Sequence, residues 1–165
     1  MSEKNLIFVG GIHGVGKTTY CKKLSEKLNL PHYSCSQLIS TFKKLDSQNK
    51  LTSKIDENQN FLKLAIDKYI PYNSSYILDG HFCLINDKYE IKEIPEETFK
   101  NLGITKILLL INSPSNIIRN LKNRDKKDYS EDLVNKFQDK EISYSKIIAK
   151  SLNIDIQIIK LSDFN

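Results

Sequence analysis

The sequence predicts an α/β protein of three layers, with helices on both faces of a central parallel sheet of about five strands, and three observations predict it. Five short apolar runs recur along the chain, most of the stretches between them have helical periodicity, and the first run passes straight into a glycine-rich loop. At 165 residues the chain suits one domain, residues 1–165, being too short to bury two full cores.

Leu6 to Gly10 is a continuous apolar run, the pattern of a strand buried on both faces. From Lys17 to Leu28 the residues Tyr20, Leu24 and Leu28 fall on one helical face, and Asn29 with Pro31 closes the helix. Pro31 to Ser34 reads as a second short strand, followed by a helix capped by Ser34 or Ser36. Lys54 to Ile70 carries a broad apolar stripe that Pro71 terminates. Ser75 to Asp79 is the third strand. Phe82 to Ile94 forms a hairpin turning at Asn86-Asp87, and a helix runs from Pro95 to about Leu102. Thr105 to Ile111, the most apolar run, is predicted as a central strand. Ser113-Pro114 opens a helix through Leu121, Asn123 to Tyr129 reads as charged and irregular, a long helix spans Ser130 to about Leu152, and Ile154 to Ile159 is the last strand.

The net charge is +5, but the basic residues are interspersed with 20 acids and form no long run, so the charge suits a solvated surface and polyphosphate ligands better than nucleic acid. The aromatic residues are dispersed, without the clustering a base-stacking platform needs. Cys21, Cys35 and Cys83 have neither pairing nor metal-ligand spacing and read as free thiols of a reducing compartment. No apolar run approaches the ~20 residues of a membrane span, and the expectation is a cytoplasmic protein, monomeric or weakly dimeric, with no membrane partner.

The segment Gly11-Ile12-His13-Gly14-Val15-Gly16-Lys17-Thr18 satisfies G-x-x-x-x-G-K-[ST] where a strand gives way to a helix. Each part of it serves a polyanion. The loop from Gly11 through His13, Gly14, Val15 and Gly16 to Thr19 turns backbone N–H groups inward, Lys17 reaches the β- and γ-phosphates, and Thr18 offers a hydroxyl to Mg²⁺. The implied ligands are ATP and Mg²⁺. Asp79 ends an apolar strand, where open α/β sheets present ligand-facing residues, and a carboxylate there can hold the metal's water shell. His81, two residues on, and Ser36 and Gln59 are polar candidates for an acceptor site. Arg119 and Arg124 are the only arginines in a lysine-rich chain, close enough together to neutralise charge on a transferred phosphoryl group from a lid at about 119–130. His32 reads as structural.

In order, VGGIHGVGKTTYCKKLSEKL, IDENQNFLKLA, ILDGHFCL, IKEIPEETF, ILLLINSPSNIIRNLKNRD and FQDKEISYSKIIAKSL make the chain resemble the P-loop nucleoside monophosphate kinases, nearest their archaeal-type adenylate kinase group. The resemblance implies that Lys17, Asp79, Arg119 and Arg124 are catalytic, that residues of about 35–70 bind the acceptor, and that the γ-phosphoryl group of Mg-ATP passes to a nucleoside monophosphate. The alternative is a nucleotide-regulated ATPase or assembly factor acting on a protein or RNA. Two departures bear on the acceptor. Residues 30–75 contain no arginine to grip an acceptor phosphate, and Asp79-Gly80-His81-Phe82 stands where many such kinases continue with proline and arginine.

Overall fold

A computed structural model describes residues 4–46, 55–125 and 128–161. Five strands, β1 (Leu6–Gly10), β2 (His32–Ser34), β3 (Tyr76–Asp79), β6 (Lys106–Ile111) and β7 (Asp155–Lys160), form one parallel sheet in the order β2-β3-β1-β6-β7. The predicted number of strands is therefore observed. The middle position belongs to β1, and β6, predicted as central, lies one strand further out between β1 and β7. The apolar run Ile107 to Ile111 follows from having a neighbour on both edges and helices on both faces.

Alternate side chains of each strand serve opposite faces. Leu6, Phe8, Tyr76, Leu78, Ile107 and Leu109 share one core with helices α3 (Ile55–Tyr69), α4 (Glu96–Leu102), α5 (Pro114–Asp125) and α6 (Glu131–Leu152). Val9, Ile77, Leu108 and Leu110 face the other way and meet Cys21, Tyr20 and Leu24 of α1 (Lys17–Leu28). Helix α2 (Cys35–Asp46) follows β2 directly and packs on α3. The hairpin of β4 (Cys83–Ile85) and β5 (Ile91–Glu93) stands apart from the main sheet, its turn fixed by Asn86 Oδ1, which accepts from the amides of Lys88 and Glu90 at 2.9 Å each.

The segment expected to be irregular from Asn123 begins later. Asn123, Arg124 and Asp125 continue α5, because the run offers no glycine or proline and its charges lie on the solvent side of a helix already under way. Residues 126 and 127 lie outside the described residues. The long helix begins where expected: Ser130 caps α6, its Oγ accepting from the Leu133 amide at 3.1 Å. Among the described residues no helix is long and apolar enough to cross a membrane.

Candidate active site

The loop between β1 and α1 bends through left-handed backbone at Gly14 (φ 85°) and Gly16 (φ 110°). A Cβ on Gly14 would lie 2.8 Å from Leu121 Cγ and 3.0 Å from the Ile117 carbonyl, so both the conformation and the packing against α5 require glycine. The loop is braced from outside by asparagines. Asn120 Nδ2 donates to the Gly14 carbonyl at 2.8 Å, and Asn112 Nδ2 to that of Val15 at 3.2 Å. Because the C=O and N–H of a trans peptide point opposite ways, drawing these carbonyls toward the asparagines turns the amides of Val15 and Gly16 the other way, and the Val15 N–H donates to the Ile12 carbonyl at 3.2 Å. Asn112 is itself held by Gln138 of α6, which accepts from its amide at 3.0 Å and donates to its carbonyl at 2.9 Å.

Inside the loop, Lys17 Nζ donates to the carbonyls of Gly11 at 2.8 Å and Ile12 at 3.3 Å. Burial lowers its pKa, with Glu141 and Asp79 opposing that shift. His81 Nδ1 lies 2.7 Å from the Gly11 carbonyl and 3.2 Å from Lys17 Nζ, so the three groups cluster at the head of the loop. The His13 and His81 rings lie 3.9 Å apart between centroids. Burial, followed by the charges of Lys17 and Arg124, pulls His13 down to about 4, and burial followed by Lys17 holds His81 well below the ordinary imidazole range. Both imidazoles are neutral at pH 7.

A cleft of about 350 Å³ is lined by the loop with Lys17, Thr18 and Thr19, and by Ser34, Ser36, Asp79, His81, Asn120 and Arg124. Eight predicted positions thus share one space with Asp79: His13, Gly14, Gly16, Lys17, Thr18, Thr19, Ser36 and His81, and Arg124 joins them. Gly11 and Val15 sit in the loop's buried floor. Arg119 is placed differently, its Nη2 donating to Asn116 Oδ1 of its own helix at 2.9 Å. Gln59 lies on α3, and its side chain is outside the described residues.

Thr18 and Asp79 supply a hydroxyl and a carboxylate to the cleft, an oxygen donor set that fits Mg²⁺. His32 proves to be more than a core filler, since its Nε2–H donates to Asp79 Oδ2 and orients that carboxylate. Cys21 completes a trio in which donor atoms of Cys21, His32 and Asp79 all lie within 4.8 Å of one another. A thiol and an imidazole suit a softer ion than Mg²⁺, and burial pushes the Cys21 thiol up to about 12.

Three further residues escaped the sequence reading: Asn112, Asn120 and Glu141. Glu141 is buried in α6, its carboxylate accepting from the Phe82 amide at 2.9 and 3.0 Å and from the Cys83 amide at 2.7 Å. Burial raises its pKa, and these amides oppose the rise. It pins the chain immediately after His81. The available signal was a charged residue at helical spacing from Phe137, Tyr144 and Ile148 on an otherwise apolar stripe.

A strand, a phosphate-type loop, a helix, and an acid at the end of the neighbouring parallel strand define a P-loop protein of the three-layer type. The chain belongs to the AAA domain family AAA_17, whose model matches residues 10–138. It is 34% identical over 115 residues, 62% of the chain, to a probable chloroplastic adenylate kinase 6 of Arabidopsis thaliana, and 35% identical over 91 residues, 48% of the chain, to an adenylate kinase of Mesomycoplasma hyopneumoniae (strain 232). It spans only 35% and 42% of those two proteins. In fold it is similar to a gluconokinase from Sinorhizobium meliloti 1021, with a TM-score of 0.54 at 11% identity over 99% of this chain and 86% of that one.

Proposed function

We propose that the protein is an ATP-dependent phosphotransferase that passes the γ-phosphoryl group of Mg-ATP to a small acceptor. The observation that carries this reading is the convergence of Lys17, Thr18, Asp79 and Arg124 on one cleft, beneath a loop whose carbonyls are drawn outward by Asn112 and Asn120. Loop amides bind the β- and γ-phosphates. The Lys17 ammonium leaves the Gly11 and Ile12 carbonyls for the phosphate oxygens, a short swing that trades neutral acceptors for charged ones. Thr18 and the Asp79 carboxylate would hold Mg²⁺, which would supply positive charge to offset that of the phosphates. Arg124 faces the charge that develops on the transferred group, and Ser36 and His81 stand between donor and acceptor spaces. Arg119 acts one step removed, through Asn116.

Adenylate kinases are among the relatives, so nucleoside monophosphates head the acceptor panel, and placement nearest the archaeal-type enzymes is part of the same proposal; hydroxyl compounds form the panel's second arm. The test is ADP formation by the purified chain with Mg-ATP and each candidate. ADP must appear in proportion to one acceptor, and a rate indifferent to every acceptor counts against a kinase. One observation favours a second reading, a nucleotide-regulated ATPase or assembly factor in the same compartment, the cytoplasm: residues 30–75 contain no arginine for an acceptor phosphate. Slow acceptor-independent hydrolysis stimulated by RNA or by a protein would select it.

A further inference from the structure

We infer that the acceptor is an uncharged alcohol carried on a flat, ring-sized and largely apolar body, the chemistry of a nucleoside, rather than a phosphorylated compound. This rests on the kinase reading and chooses one arm of its acceptor panel.

A second cavity, about 170 Å³, adjoins the phosphate cleft. Its walls are apolar: Phe8 and Phe99, whose rings meet edge to face at 5.7 Å, with Ile39, Leu62 and Leu102. A dry apolar cavity of ~150 Å³ holds one benzene-sized ring, so this one admits a single ring of an acceptor and leaves the rest outside. Cys35, Ser36 and Thr98 give the wall a few polar atoms, enough for the edge of a heterocycle and too few for a sugar acid.

The two spaces meet at His13, Ser36 and His81, which line both. A ring seated against Phe8 and Phe99 therefore directs its substituent to the junction, toward the position of ATP's γ-phosphate. The charge present there decides which substituent is tolerated. No lysine or arginine lines the second cavity among the described residues. Lys17 and Arg124 line the phosphate cleft and not this cavity, and in the cleft ATP's own charge occupies them. An acceptor phosphate at the junction would add its negative charge beside the γ-phosphate with no cation of its own lining the cavity. A hydroxyl meets none of that penalty, and Ser36 offers it a hydrogen-bond partner.

In the step that follows, the acceptor's hydroxyl oxygen attacks Pγ as the bond from Pγ to the β,γ-bridging oxygen breaks. The bond's electron pair leaves on ADP, the hydroxyl proton passes to water in the cleft, and the products are ADP and a phosphate monoester.

The experiment gives the purified chain Mg-ATP with adenosine, guanosine, cytidine, uridine or thymidine, and in parallel with the 5′-monophosphate of each. ADP is followed continuously and the product is weighed by mass spectrometry. At least one nucleoside is expected to yield ADP and a product one phosphoryl group heavier, with kcat/KM at least tenfold above that of its own monophosphate. A monophosphate used better than its nucleoside overturns the inference and leaves the kinase reading standing, whereas ATP turnover unaffected by both arms defeats the kinase reading itself. Thr98→Arg puts a guanidinium into the cavity wall; it is expected to lower nucleoside use at least tenfold, and unchanged nucleoside use would remove the ring from this cavity.

Discussion

The phosphate cleft and the apolar cavity beside it are neighbours that, on the proposed kinase reading, would recognise donor and acceptor by different physics. The phosphate cleft offers backbone amides, one lysine and a few oxygens, the loop held by Asn112 and Asn120, Lys17 by the Gly11 and Ile12 carbonyls and Asp79 by His32. The adjoining cavity offers apolar shape, with Phe8, Phe99, Ile39 and Leu62 drawn from four different elements of the chain. Charge is recognised by few groups at short range and tolerates little change, while an apolar body is recognised by many weak contacts, each replaceable. Substitutions on the donor side should therefore act sharply and those on the acceptor side by degrees.

The largest test of that contrast is Lys17→Ala. Removing the only ammonium folded into the loop should lower kcat by at least ~10³ with the melting temperature little changed, as read from ADP release and thermal unfolding. A loss below tenfold would mean that the loop amides alone carry the phosphates. Arg124→Ala comes next: kcat should fall by about 10² with ATP affinity nearly intact, and equal losses in both would assign Arg124 to ground-state binding.

Gly14→Ala breaks the same side by another route. A left-handed φ of 85° and a Cβ 2.8 Å from Leu121 should cost about 1–3 kcal/mol of stability, measured by urea unfolding, together with most ATP binding. Retention of wild-type stability would mean that the loop relaxes without glycine there.

The smallest effect is one of pH. His13 has a folded-state pKa near 4 against an ordinary 6.5, so folding favours its neutral form. The stability this provides is full above about pH 6.5 and is lost as pH falls through that window toward 4. His13→Gln should therefore lose less stability than the wild type between pH 6.5 and 4, by about 2 kcal/mol once partial exposure is allowed for. Parallel urea curves for the two proteins across that range would show that the imidazole protonates freely in the folded state.

How much could be read in advance follows the same division. The strands at Leu6–Gly10, Tyr76–Asp79 and Lys106–Ile111 were legible because a strand buried on both faces must be apolar throughout, and the phosphate loop because glycine at positive φ and lysine at its end have no substitutes. The helical nature of Asn123 to Asp125 was missed because charged residues are equally at home on a helix surface and in a loop. His32 was set aside as structural because a histidine's partner is unknown until β2 lies beside β3 and brings it to Asp79.

By itself the sequence determined the layered α/β class, the polyphosphate loop and the acid at the end of β3, since each is a local consequence of side-chain size, charge or backbone freedom. Only the tertiary structure decided that Asn112 and Asn120 brace the loop, that Glu141 pins the chain behind His81, that Arg124 lines the cleft while Arg119 turns to Asn116, and that an apolar cavity opens beside that cleft. Most of these depend on pairs of residues tens of positions apart, and what such a pair does is set by which strands and helices become neighbours, a property no stretch of sequence possesses alone.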